Sequence, residues 1–114
     1  MDKSYTIGID FGTSAVRALI VDCRNGEQVG SGTYKFPSGV QGVILSDQDH
    51  HLARQNPADY ALAMREAVRV ALETADRISG FDRSRVIGIG TDTTGSTPIP
   101  VDSNNVPLAF QPKW

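Results

Sequence analysis

Residues 7–22 read IGIDFGTSAVRALIVD: two β-branched, apolar runs around Asp10, Phe11, Gly12, Thr13 and Ser14. Both runs are too short for helices and read as strands, at 5–10 and 15–22. The chain must therefore reverse within a few residues. Glycine at such a bend takes dihedral angles closed to other residues and lets backbone come close to a ligand. This context separates the stretch from other glycine-rich loops. A P-loop needs Gly-Lys-Ser/Thr followed by a helix, and a dinucleotide fingerprint also leads into a helix. Here strand leads to strand. A second glycine-rich stretch, GIGTDTTG at 88–95, opens with fingerprint spacing but lacks glycine at position 93.

Further along, Asn25-Gly26 is a two-residue turn signal, and residues 27–36 read as a third strand folding back on the second. From 37 to 56 the pattern gives way to Gly, Ser, Asp, Gln and His, a long surface excursion with a short strand at 43–45. Loops of this length are uncommon without a function. Asn56 then caps a helix that has Pro57 at its first position and Asp59 in its first turn. Tyr60, Met64, Ala67, Val68, Ala71, Leu72, Ala75 and Ile78 recur at helical spacing, and Gly80 is a natural stop. The alanine-rich face predicts close packing on a sheet. Residues 85–91 form a fourth strand, apolar at its centre and so expected inside the sheet. A fifth short strand is expected at 98–101, before a turn at 102–105. The order β-β-β-α-β-β, antiparallel strands first, predicts an α/β fold with a mixed ribonuclease-H-like sheet. The strand after the helix would lie beside the first by a right-handed crossover.

The 114 residues suffice for one domain with a modest core. Thirteen acidic against eleven basic residues, with no basic run, argue against nucleic acid or an anionic membrane as the main partner. No apolar stretch approaches the roughly 20 residues that span a bilayer. The first residues lack the order of a signal peptide, so a cytoplasmic location is expected. The one cysteine, Cys23, fits a reducing compartment and is expected as a buried filler. His50 and His51 are adjacent, with no cysteine or acidic cluster at metal-ligand spacing, and read as solvated.

The hairpin tip suits an anion. Successive N–H groups in such a turn form a concavity for phosphate, and Thr13 and Ser14 add hydroxyl donors. Asp10, at the strand end, could hold Mg²⁺ through its waters. Arg17 could supply charge-assisted hydrogen bonds to a phosphoryl group. The simpler reading is a hairpin with ordinary turn formers at its bend. Arg17 among Val16, Ala18, Leu19 and Ile20 speaks for the anion, because a charge there needs water or a counter-charge. A solvated Arg17 at a sheet edge also meets that need.

IGIDFGTSAVRALIVD resembles the first phosphate motif of the superfamily of actin-like, sugar-kinase and heat-shock-70 ATPases. Its Asp-x-Gly-Thr-x-x-x-Arg form resembles the FGGY branch of carbohydrate kinases. VIGIGTDTTGSTPIPVDSNNVPLAF, at 86–110, looks like the corresponding stretch of L-ribulokinases, and the likeness extends over essentially the whole chain. It implies an actin-like ATPase fold, ATP and Mg²⁺ as cofactors, and L-ribulose as the phosphoryl acceptor. Gly12, Thr13, Ser14 and Arg17 would hold the transferring phosphoryl group. Asp92, Thr93, Thr94, Gly95 and Ser96 would line the sugar pocket, where short donors and acceptors suit a polyhydroxylated ligand. Read without the resemblance, 92–97 is a threonine-rich turn.

The same resemblance implies that residues 1–114 are the N-terminal portion of the first actin-like domain. The second phosphate motif, the adenosine motif and the catalytic aspartate are expected downstream. Asp92 is the nearest carboxylate, but it is a poor candidate for the base. The chain alone is expected to lack kinase activity and to self-associate through uncovered apolar surface, with Phe110 and Trp114 as candidate contacts. Two other readings stay open: a kinase for xylulose, glycerol or another polyol, and a non-catalytic actin-like module that senses nucleotide or sugar.

Overall fold

In a computed structural model that describes residues 2–95 and 97–113, the opening motif is an antiparallel hairpin of β1 (Tyr5–Phe11) and β2 (Ala15–Asp22). β3 (Gln28–Lys35) continues the meander. A two-stranded ribbon of β4 (Ile44–Leu45) and β5 (Ala53–Arg54) follows, and then α1 (Pro57–Ala75). β6 (Val86–Thr93) returns to lie parallel to β1. The main sheet therefore runs β3-β2-β1-β6, three antiparallel strands and one parallel return.

Alternation on the strands decides which face meets the helix, since successive side chains point to opposite sides. Tyr5, Ile7 and Ile9 of β1 and Val16, Ala18 and Ile20 of β2 are buried with Phe36 and Ala63, Ala67, Ala71 and Ala75 of α1. Those alanines recur every four residues and form the centre of the helix contact, while Tyr60, Met64, Val68 and Leu72 are half-buried at its flanks. The facing residues of β3 are Gly30 and Gly32. A Cβ on Gly32 would stand 2.2 Å from the Ala67 carbonyl oxygen, and one on Gly30 would stand 2.4 Å from that of Ala71. Backbone meets backbone there, and larger side chains would hold the layers apart.

The helix start follows its sequence signals. The Asn56 side chain accepts from the Ala58 N–H, and Pro57 opens the first turn. Asp59 is buried and accepts from both the N–H and the hydroxyl of Ser38, at 3.1 and 2.9 Å. This ties the excursion to the helix. The stripe stops short of Ile78, which lies exposed in the turn after the helix, and Gly80 follows with φ +83°.

Four expectations change. The fifth strand at 98–101 is absent: Pro98 and Pro100 lack ladder donors, and only Val101 bridges, to Pro107. The fourth strand is not inside the described sheet but at its edge. Ile87 and Ile89 are 70% and 65% exposed, because α1 lies over β3 and β2 and does not reach them. Cys23 is exposed, because the strand ends at Asp22 and the cysteine opens the connecting loop. That loop is also longer than a two-residue turn. Of Asn25 and Gly26 only Gly26 has positive φ, and Asp22 closes the loop by accepting from Arg24 through its side chain and its backbone N–H. The 102–105 turn is present, with Asn105 at φ 61° and Asp102 accepting from the N–H groups of Asn104 and Val106.

The chain is drawn out over 56 × 30 × 21 Å, with a radius of gyration of 17.0 Å. A compact domain of this length would have about 13 Å. Among the described residues no helix is long and apolar enough to cross a membrane.

Candidate functional site

The turn between β1 and β2 is closed by the Gly12 N–H donating to the Ala15 carbonyl at 2.9 Å. A Cβ on Gly12 would stand 3.1 Å from that oxygen, a tight contact. Gly12 does not have the positive φ expected of it, so the bend draws on the glycine's small size and not on a backbone conformation closed to other residues. Neighbours pin the tip on two sides. The Phe36 N–H donates to Ser14 O at 2.9 Å, and the Thr94 N–H donates to Phe11 O at 3.1 Å. The N–H groups of Thr13 and Ser14 have no acceptor among the described residues. Two adjacent donors thus stand free at one turn, the backbone arrangement that holds anions.

Strand register supplies the charged groups. Asp10 is the cross-strand partner of Arg17 on β2 and of Asp92 on β6, and Arg17 is the partner of Thr33 on β3. Residues paired this way share a sheet face. The row Thr33, Arg17, Asp10, Asp92 therefore crosses all four strands on the face that α1 leaves open, and all four residues are exposed. The Asp10 carboxylate and the Arg17 guanidinium make no ion pair among the described residues. A cleft of about 130 Å³ is lined by Asp10, Gly12, Thr13, Ser14, Ala15, Arg17 and Thr33. It unites the expected phosphate residues and the expected Mg²⁺ residue, and adds Thr33, which carries no sequence signal beyond its place on a strand.

A larger cavity of about 870 Å³ adjoins it, and Thr13 lines both. One wall comes from the excursion, through Val43, Arg54 and Gln55. The other comes from the segment after β6, through Thr94, Thr97 and Ile99. The excursion left without a role by the sequence is thus cavity wall. The expected sugar residues divide. Thr94 lines the cavity, while Asp92 and Thr93 belong to β6 and line neither space. The Asp92 carboxylate accepts from the Thr93 N–H at 2.9 Å. Gly95 has open space around it and lines neither cavity, and Ser96 lies outside the described residues. Gln55 and Tyr60 carry no site signal in the sequence, where they read as loop and helix stripe. The Gln55 Nε2 donates to Thr13 O, and the Tyr60 hydroxyl donates to Gln55 Oε1, each at 2.7 Å.

Free backbone donors, a cation and a carboxylate thus meet at one small cleft beside a larger cavity, on a mixed α/β sheet of the kind found in actin-like sugar kinases. Two solved structures share the fold at 22% identity. Gluconate kinase from Lactobacillus acidophilus superposes with a TM-score of 0.68 over 94% of this chain and 19% of that one. Xylulose kinase from the same organism superposes with 0.66 over 92% and 18%. Residues 5–114 match the N-terminal domain of the FGGY family of carbohydrate kinases, and the chain belongs to that family. Among its relatives, the ribulokinase of Shouchella clausii is 40% identical over 97% of this chain and 20% of its own. That of Vibrio parahaemolyticus is 37% identical over 98% and 19%. The chain spans about a fifth of the length of these curated relatives.

Proposed function

We propose that residues 1–114 are the N-terminal portion of the first actin-like domain of a carbohydrate kinase that transfers the terminal phosphate of ATP to L-ribulose. The observation that carries the reading is the pair of free N–H groups at Thr13 and Ser14, next to unpaired Arg17, at the boundary of a cavity large enough for a sugar. L-ribulose is favoured over other pentuloses because the relatives at 32–40% identity are named ribulokinases.

In this reading the N–H groups and hydroxyls of Thr13 and Ser14 orient the transferring phosphoryl group, Gly12 gives it room, and Arg17 offsets its charge. Transfer of this kind depends on positioning and electrostatic stabilisation. Asp10 fits Mg²⁺, since one exposed carboxylate that makes no ion pair among the described residues suits an ion that keeps most of its waters. Asp10 would hold the ion through those waters, and the ion would neutralise charge on the nucleotide. Thr94, with Asp92, Thr93, Gly95 and Ser96 near it in sequence, would hold the sugar. The base that takes the sugar hydroxyl proton is expected outside these residues, so the chain alone is inactive.

The test is sugar-dependent ADP formation by the intact protein, with MgATP and a panel of L-ribulose, D-xylulose, D-gluconate and glycerol. The highest kcat/KM is expected for L-ribulose. A higher value for another acceptor would replace the substrate, and no ADP with any of them would overturn the kinase reading.

A further inference from the structure

The Thr13 carbonyl and the Ser14 N–H belong to one peptide unit. A trans peptide is planar, and its C=O and N–H point in opposite directions. Whatever holds the carbonyl also aims the N–H. The carbonyl is held by the Gln55 Nε2 at 2.7 Å, from the side of the larger cavity that Gln55 and Thr13 both line. Ser14, which carries the N–H of that peptide, lines the small cleft with Asp10 and Arg17.

Gln55 is itself braced. Its Oε1 accepts from the Tyr60 hydroxyl at 2.7 Å, while the Thr13 carbonyl, which can only accept, requires the amide nitrogen on its own side. Tyr60 in turn is stacked between Phe11, at 5.6 Å and 12°, and Phe36, at 5.0 Å and 25°. Phe11 ends the strand that enters the turn, and the Phe36 N–H holds the carbonyl of Ser14. Gln55 is 42 residues from Thr13 in sequence, so the contact is tertiary.

We propose that Gln55, braced by Tyr60, is a positioning residue that sets the Thr13–Ser14 peptide so that its N–H meets the terminal phosphate of a bound nucleotide. The inference rests on the kinase reading for the identity of the ligand, but not for the geometry. Loss of the Gln55 amide frees the peptide to rotate, and the Ser14 N–H is then no longer presented. Glutamate at this position is worse than alanine, because its carboxylate oxygens face the Thr13 carbonyl with no proton to donate. The Tyr60 hydroxyl contributes less, since its removal leaves the donor on Thr13 in place.

The experiment uses the intact protein and its Gln55→Ala, Gln55→Glu and Tyr60→Phe variants. Calorimetry reads binding of Mg-AMP-PNP, which carries a third phosphate, and of MgADP, which does not. A hydrogen bond to a charged group corresponds to roughly tenfold to a hundredfold in affinity. Gln55→Ala is expected to lose at least about tenfold for Mg-AMP-PNP and less than about threefold for MgADP. Gln55→Glu loses more, Tyr60→Phe less, and melting temperatures stay near that of the wild type. In turnover, kcat falls while the KM for sugar moves little. Equal losses for both nucleotides, an unaltered Mg-AMP-PNP affinity, or a lower melting temperature that accounts for the loss would each overturn the proposal. If the protein phosphorylates none of the sugars, the kinase reading falls, while the binding comparison still decides the role of Gln55.

Discussion

Gly32→Ala is the sharpest perturbation of this fold. The new Cβ would lie 2.2 Å from the Ala67 carbonyl oxygen, 2.7 Å from the Ala71 nitrogen and 2.9 Å from the Val70 Cβ. Ordinary contact begins near 3.4 Å, so α1 must retreat by about an ångström over its central turns, because backbone cannot rotate aside as a side-chain tip can. Retreat loosens Ala63, Ala67, Ala71 and Ala75 against the sheet together. Overpacking costs about 1–3 kcal/mol, and with two of the three obstacles being backbone the upper end, about 3 kcal/mol, is expected. With a urea slope of about 1–1.5 kcal/mol/M for a chain of this size, the unfolding midpoint drops by about 2–3 M. Gly90→Ala is the control: nothing lies within 4 Å of its Cβ, and the loss of unfolded-chain entropy makes it neutral or stabilising by up to about 1 kcal/mol. Adding Ala71→Gly to Gly32→Ala does not rescue, since the obstructing atoms remain and a helix glycine costs about 1 kcal/mol more. Equilibrium urea unfolding followed by far-UV circular dichroism reads all three. A Gly32→Ala midpoint equal to that of the wild type would refute the argument that backbone contact sets the layer spacing.

Arg17→Ala in the intact protein is expected to lower kcat by about a hundredfold or more, the loss typical of removing one charge-stabilising donor. Its melting temperature should hold, because Arg17 is exposed and makes no ion pair among the described residues; a rate within about threefold of the wild type would remove it from the site. The Arg24 side chain and backbone N–H hold the Asp22 carboxyl down to about 2. An unfolded aspartate titrates at about 3.9, so the stabilisation is full above about pH 4 and is lost as pH falls toward about 2. Urea midpoints measured across that window should fall more steeply in the wild type than in Arg24→Ala, and parallel slopes would count against the ion pair. The free edge of β6, with Ile87 and Ile89 exposed, predicts that the isolated chain self-associates. Sedimentation velocity should show oligomers that Ile87→Lys with Ile89→Lys abolishes, and a clean monomer at high concentration would refute it. Phe110 is half exposed and remains a second contact, whereas Trp114 lies outside the described residues.

Local signals are legible wherever one short stretch carries its own structural cause. Gly12 between two β-branched runs can only be a bend, and Asn56-Pro57 with Asp59 can only open a helix, so the order of residues is enough to place the hairpin and α1. The residues of the small cleft are readable for the same reason, because Asp10, Gly12, Thr13, Ser14 and Arg17 lie within eight positions of one another on one hairpin. The segment expected to hold the sugar is harder. Asp92 and Thr93 read as turn but continue β6, since the extent of a strand is set by its partner, and β1 pairs with β6 as far as Phe11. The expected fifth strand does not form because two prolines withhold the donors a ladder needs.

Sequence alone determined the hairpin, the helix start, the family likeness and the chemistry available at the turn, because each depends on residues near one another along the chain. Tertiary structure alone decided that the 37–56 excursion walls the larger cavity, that Ile87 and Ile89 stand uncovered, and that Gln55 reaches across 42 positions to hold the Thr13 carbonyl. Those facts depend on which surfaces the strand order and the helix position bring together. No local pattern of polarity or propensity encodes a meeting between residues that far apart.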